Sequence, residues 1–352
     1  MAHSLHSIKL LHSQRGGAAL LFVMILPVLL GFAALSVDLA NIHRVKAELQ
    51  NAADAAALAG AGSLTTPGGD PYNWSAATAT AQELAQKNFA NGSKIQDAQN
   101  ETGYWNLQSQ SWNDTAPGTG DVPAVRATIA ISGTENNGPL QLFFAPIFSF
   151  FDHADHSGHD LHASAVAVIA PPSSGTGLFP FVIGKKMLDH YWDLNTSTPV
   201  LQHGVAPTIK LGTVYQFGTC QNQTNVLSGQ WTTFQSSEKN PNVTFMRNLI
   251  ENGSPTELSI GDDTYIQPGA KATLYSEVPV GTDVAMFVVD NVLTNSFVPV
   301  VAIAGFHIDG YSQGGKYITG HFIDAAIIPG LKPGTGTPGT FYGAYTPPVM
   351  VH

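Results

Sequence analysis

Charge is scarce in this chain: Lys, Arg, Asp and Glu make up 11% of its 352 residues, where about a quarter is usual for soluble domains. Basic residues number only 15, scattered, and the formal net charge is −10. Nucleic acid is thereby excluded as a partner, because counterion release needs clustered Lys and Arg. Cysteine is nearly absent as well. With Cys220 alone there is no intrachain disulfide and no cysteine-based zinc cluster, and this residue reads as a small hydrophobe, not a reactive thiol. Catalytic signatures are missing: no G-x-S-x-G elbow, no H-E-x-x-H, no Walker loop, and no G-x-G-x-x-G after a strand. Asp262 and Asp263 are adjacent acids on an expected turn after Gly261, where carboxylates commonly bond the backbone. No catalytic, cofactor-binding or metal-ligating residue is assigned on these grounds, and no cofactor is expected.

What the chain does have is a long uncharged run. From Gly16 to Val37 there are 22 residues without a charge. As a helix they reach about 33 Å at ~1.5 Å per residue, enough to cross a hydrocarbon core of ~30 Å. Pro27 should kink that helix modestly. A cleaved signal has a shorter apolar core, of about 7–15 residues; Ala34-Leu35-Ser36 offers a passable cleavage site, but length favours an anchor. Charge does not orient it, since Lys9 and Arg15 precede the run and Arg44 and Lys46 follow it. Beyond Asp38 the same helix turns amphipathic. Leu39, Ile42, Val45, Leu49, Ala53, Ala56 and Ala59 form one stripe, with Asn41, Arg44, Glu48, Asn51 and Asp54 turned away. Gly60, Gly62 and "TTPGGDP" are expected to stop it. An apolar stripe needs a packing partner, so Leu49, Ala53, Ala56 and Ala59 are expected to dock on the domain that follows.

Past the helix, a second alanine-rich helix is expected over Ser75–Ala90, strands at Gly103–Leu107 and Val122–Ile131, a short apolar helix over Pro139–Phe151 bent at Pro146, and a strand over His162–Ala170. That order suggests a small α+β layer domain. The Phe cluster is too short to span a bilayer and reads as a buried helix. "APPSSGTG" reads as a linker. Strand signals then multiply at Thr208–Phe217, Glu257–Gln267, Lys271–Val278, Asp283–Val289, Phe297–Ile308 and Lys316–Ile328, interrupted by one helix near Asn242–Glu251. The fold class is therefore α+β: an N-terminal transmembrane helix continuing into an amphipathic helix, a small α+β domain, and a mostly antiparallel β sandwich or barrel-like domain. The domain reading is a transmembrane helix over 16–38, an amphipathic helix over 39–62, the α+β domain over 70–170, the β-rich domain over 178–328, and a Pro/Gly-rich tail over 329–352, expected to be extended or disordered.

One constellation tempts a metal reading. In "FDHADHSGHDLHAS", His153, His156, His159 and His162 recur every third residue with Asp152, Asp155 and Asp160 between them. Imidazole and carboxylate suit zinc, nickel or copper. On a helix this spacing walks around the axis; as a loop about Ser157-Gly158, two or three could converge. The bland reading, a solvated polar loop, is preferred. The N-x-S/T triplets at Asn73, Asn195 and Asn242 matter only in a eukaryotic secretory pathway.

The stretch "RGGAALLFVMILPVLLGFAALSVDLANIHRVKAELQNAADAAALAGA", and above all Leu49–Ala61, resembles the N-terminal segment of the Flp pilus-assembly TadG-like family of the tight-adherence system. Weaker echoes are "TGYWN", "VPAVRATIA", "LFFAPIFSFF" and "ASAVAV". The resemblance implies a bacterial inner-membrane, single-pass protein with residues 1–15 cytoplasmic and the bulk of the chain periplasmic. It also implies a non-enzymatic role in pilus assembly, with the lipid bilayer and other pilus-assembly proteins as partners. Two departures refine it. Pilins of that system carry a glutamate five residues after their cleavage glycine; here Leu21 or Phe22 stands there, which implies an unprocessed component. Longer relatives bear a von Willebrand A metal site, D-x-S-x-S; Asp155-His156-Ser157 gives its first half, but His159 replaces the second serine, so that module is absent. The alternative is a membrane-anchored or secreted ligand- or metal-binding protein using the histidine-rich loop 152–162.

Overall fold

In the computed structural model, residues 15–66, 71–115, 117–118, 120–149, 153–219, 222–236, 241–269, 271–334 and 339–352 are described; Cys220, Asp152, Phe150 and Phe151 lie outside them. The first element, α1, is one unbroken helix over Arg15–Gly62 with Pro27 inside it. From Leu20 to Val37 every side chain except Ala34 is exposed, and burial begins abruptly at Asp38. Val45, Leu49, Ala52, Ala53, Ala56, Ala57 and Ala61 are fully buried. The stripe thus differs slightly from the expected one: Leu39 is exposed, Ile42 and Ala59 are only half-buried, and Ala52, Ala57 and Ala61 join it. Gly60 does not end the helix. It is a packing position, where an added Cβ would lie 2.9 Å from Val125 Cγ1, 3.0 Å from the Ala77 carbonyl oxygen and 3.1 Å from Ala81 Cβ. The second helix, α2 (Trp74–Ala85), presents Ala77, Ala81 and Ala85 as its buried face. Small residues on both helices permit that approach.

The chain divides into two compact units, and it passes between them within α1 and again at later points. The first comprises residues up to Ala52, Gln86–Ala98 and Ile129–Ala163. Here a tight hairpin pairs Phe89–Ala90 with Ser93–Lys94, turning through positive φ at Asn91 and Gly92, the Asn-Gly signature of such turns. Asn136 ties Gln86–Ala98 to the later segment: its Oδ1 accepts from the Gln96 and Asp97 N–H groups, and its Nδ2 donates to the Asp97 and Ala130 carbonyls. Leu140–Gln141 then pairs with Gly158–His159.

The second unit holds Ala53–Ala85, Gln99–Thr128 and Ser164–His352. Its larger sheet has seven strands, ordered Ile209–Leu211, Tyr317–Phe322, Ser296–Ser312, Asp283–Val289, Phe181–Gly184 and Gly229–Trp231, with Asp263–Ile266 also on Ser296–Ser312. Phe181–Gly184 runs parallel to Asp283–Val289; its other pairings are antiparallel. A continuous apolar core of Phe181, Trp231, Phe234, Phe287, Phe306 and Phe322 fills it. Two N-x-S/T asparagines prove to be helix caps: Asn73 Oδ1 accepts from the Ala76 N–H, and Asn242 Oδ1 from the Phe245 N–H.

Three expectations need correction. Lys271–Val278 is not a strand but a 3₁₀ turn over Ala272–Glu277 with Leu274 and Tyr275 buried. "APPSSGTG" is not a loose linker: Pro172–Gly175 is a strand between Leu258–Ser259 and Leu331–Pro333. Nor does the Pro/Gly-rich tail trail away. Val349–Met350 pairs with the strand Leu161–Val168, Ala344 and Tyr345 are buried, and Thr346 exchanges hydrogen bonds with Ala170. Gly330 and Gly343 take positive φ between these short strands, a pairing that composition alone does not reveal.

Candidate functional site

The first charge after the apolar run is Asp38, and it is almost wholly buried. A carboxylate taken out of water needs donors. Asp38 finds three, all backbone: Oδ1 accepts from the Phe143 N–H at 2.8 Å, and Oδ2 from the Phe144 and Ala145 N–H groups at 2.9 and 2.7 Å. Those amides open the 3₁₀ turn Ala145–Phe148, with Pro at its start. The free N–H groups of a helical first turn are suited to an anion. Asp38 therefore fixes the Phe-rich turn beside α1 at the point where the apolar run ends. Among the described residues the expected buried helix over Pro139–Phe151 gives way to a strand at Leu140–Gln141 and this turn; Phe150 and Phe151 lie outside the described residues. At the start of the turn and within it, Phe143, Phe144 and Ile147 are exposed.

One other polar contact measures distance along α1 within the same unit. Glu48 Oε2 accepts from the Asn91 N–H at 2.9 Å and also pairs with Arg44 at 2.5 Å. It lies ten residues beyond Asp38, or ~15 Å along the axis at ~1.5 Å per residue. The hairpin carrying Phe89 therefore sits farther from the apolar run than the Phe-rich turn does.

The four loop histidines do not converge. His153 has positive φ and is exposed, as are His159 and His162, while His156 is half-buried. Asp155 Oδ1 accepts from the Ser157 N–H at 2.9 Å; the Ser157 bonds, with His156 nearby, hold its carboxyl below the usual range. Among the described residues, no group of three or more His, Cys, Asp or Glu side chains is arranged to hold a metal ion. Asp262 also behaves as a turn residue, its Oδ2 accepting from the Ser259 N–H.

Two features of the second unit escaped the sequence reading. Asp283, His307 and His321 lie side by side on three adjacent strands, being register partners. His307 Nδ1 is 2.6 Å from Asp283 Oδ1, His321 Nδ1 is 3.2 Å from Asp309 Oδ2, and the imidazoles are 5.1 Å apart. The signal was the outward alternation in "FHIDG" and "GHF". The other is a cleft of about 430 Å³ whose lining includes Tyr72, Tyr104, Tyr345, Phe341, Asp121 and Asp324. The Tyr72 and Tyr345 hydroxyls bond each other at 2.9 Å, and burial pushes both up from the usual tyrosine range. Asp121 is occupied by Asn106, Asn113 and the Gly118 N–H. These groups are engaged in holding loops.

Residues 16–63 match the family model described as Flp pilus-assembly TadE/G-like, and residues 55–167 match one described as Tad-like Flp pilus-assembly. Neither a curated protein nor a solved structure matches the chain.

Proposed function

From the premise that residues 16–167 carry Flp pilus-assembly domains of the Tad type, we propose that this chain is a non-enzymatic, single-pass component of the tight-adherence pilus machinery. It is held in the bacterial inner membrane by residues 16–38, with the domains beyond in the periplasm, where they contact other pilus-assembly proteins. The observation that carries this reading is α1 itself. Its first part is long and apolar enough to cross a membrane and is entirely uncovered, whereas its last turns are lined by buried alanines. A solvent-facing helix with that apolar surface would be unstable in water and suits lipid. The domain boundaries 70–170 and 178–328, with the strands of the tail closing onto them, belong to the same proposal.

A structural role fits the side-chain chemistry. Asp38, Asp121, Asp155 and Asp262 are engaged with backbone amides, and His307 and His321 pair with acids on the sheet, an arrangement that holds structure together. The test is genetic and biochemical together. Deleting the gene in its host should abolish or thin surface pili seen by electron microscopy, and the full chain should restore them. A version with Leu20–Val37 replaced by a cleavable secretion signal should not. Normal pili in the deletion strain would sink the assembly role, and rescue by the released form would sink the anchored one.

A further inference from the structure

We infer that the Phe-rich turn is a second membrane contact: Phe143, Phe144 and Ile147 insert into the interfacial layer of the bilayer at the end of α1's apolar run. The inference rests on the anchored reading above and adds to it a monotopic foothold outside the spanning helix.

The exposed side chains carry the argument. Phe143 is 69% exposed, Phe144 39% and Ile147 53%, three large apolar residues within five positions that the protein itself leaves uncovered. Scattered surface hydrophobics need no account, but a cluster marks a contact surface. Asp38 supplies the occupant. Because its carboxylate grips the Phe143, Phe144 and Ala145 amides, the turn is held at the height where the 22 uncharged residues end. On either side of Asp38 in α1, Val37 and Leu39 are also exposed, so uncovered apolar side chains of the helix stand at the same height as the turn. Aromatic and aliphatic side chains at this depth lie in the headgroup and acyl boundary, where segments without a spanning length bury about 5–10 Å deep. The buried acid is thus satisfied by amides that would otherwise face lipid without partners.

Phe89 provides an internal control. It is equally bare, 61% exposed, but sits next to Ala90 and Asn91 in the hairpin anchored at Glu48, ~15 Å farther along α1 by its rise of ~1.5 Å per residue. It should stand in water.

The experiment places a nitroxide on single cysteines at Phe143, Phe89 and Leu29 in the full-length chain carrying Cys220→Ser, reconstituted in phosphatidylethanolamine–phosphatidylglycerol vesicles. Collision with oxygen, which partitions into lipid, is compared with collision with a water-soluble nickel chelate. The Phe143 side chain is not what Asp38 holds, so the label leaves those amide bonds in place. Oxygen should exceed the chelate several-fold at Leu29→Cys and Phe143→Cys, and the order should reverse at Phe89→Cys. If Leu29→Cys meets the chelate freely, the anchor itself is wrong. If Leu29→Cys is in lipid but Phe143→Cys matches Phe89→Cys, or is shielded from both reagents, the membrane contact of the turn is overturned while the anchor stands.

Discussion

Leu29 and Leu49 are the same residue on the same helix, twenty positions apart, and one is bare while the other is fully buried. Around Leu29 the helix carries Leu, Phe, Val, Ile and Met, and none of them is covered. Around and beyond Leu49 it carries mostly alanine, and much of that alanine is sealed in. Hydrophobicity therefore does not predict burial along α1; side-chain volume runs the other way. Bulk stands uncovered on the stretch that is long and apolar enough to cross a membrane, and smallness faces other backbone, where close approach gains dispersion contacts.

The sharpest break in this comparison is Leu49→Asp. An unpaired charge in place of a buried aliphatic should cost about 4 kcal/mol, read as a lowered urea midpoint of the full-length chain in detergent micelles. Leu29→Ala, by contrast, should leave that midpoint within about 0.5 kcal/mol; an equal loss at both positions would erase the distinction. Next comes Asp38→Ala, which marks the border between the two stretches. It leaves three part-buried amide donors without their acceptor, at about 1 kcal/mol each, so a loss on the order of 3 kcal/mol and early proteolysis near Phe143 are expected. No change in protease pattern would mean that the turn is held by something else. Gly60→Ala probes close approach from the other direction. A methyl 2.9 Å from Val125 Cγ1 forces repacking worth about 2 kcal/mol, although the same change on an exposed helix would stabilise. Smallest is Arg44→Ala, which removes an exposed i,i+4 pair with Glu48 and should cost about 0.4 kcal/mol.

Much of this was legible in the residues. The 3.6-residue period placed α1 and α2, and the short apolar run in "DVAMFVV" marked a strand whose ends, Asp283 and Val289, match the expected ones. The expected tight docking of Ala53 and Ala56 agrees with their burial, but the register drifted because Ala offers no contrast between one face and the next. Asp38 could have been read as a site from sequence, since the first acid after a long apolar run must find donors. Which donors it finds, more than a hundred residues later, no local pattern encodes. The Phe-rich turn escaped local reasoning for a related reason: apolar residues are expected inside, and the turn's attachment to Asp38, far away in the chain, is what holds its phenylalanines outward. The segments Pro172–Gly175 and Leu331–Pro333 look like linker and tail because they are too short to show a period, and their pairing is with each other.

The pairing of Val349–Met350 with the strand Leu161–Val168 bears on when this protein can finish folding. The two partners are about 180 residues apart, so their meeting closes a very long loop, one whose entropic cost grows only slowly with length but which cannot form before its last residues exist. If the bulk of the chain is threaded across a membrane from its N-terminal end, the sheet must wait, with the edge that Val349–Met350 will cover still open, until the last strand arrives. An open edge of that kind is the feature that invites wrong partners. Closure of this edge therefore waits on Val349–Met350, and the span of chain in between must be kept from pairing elsewhere until that strand has arrived.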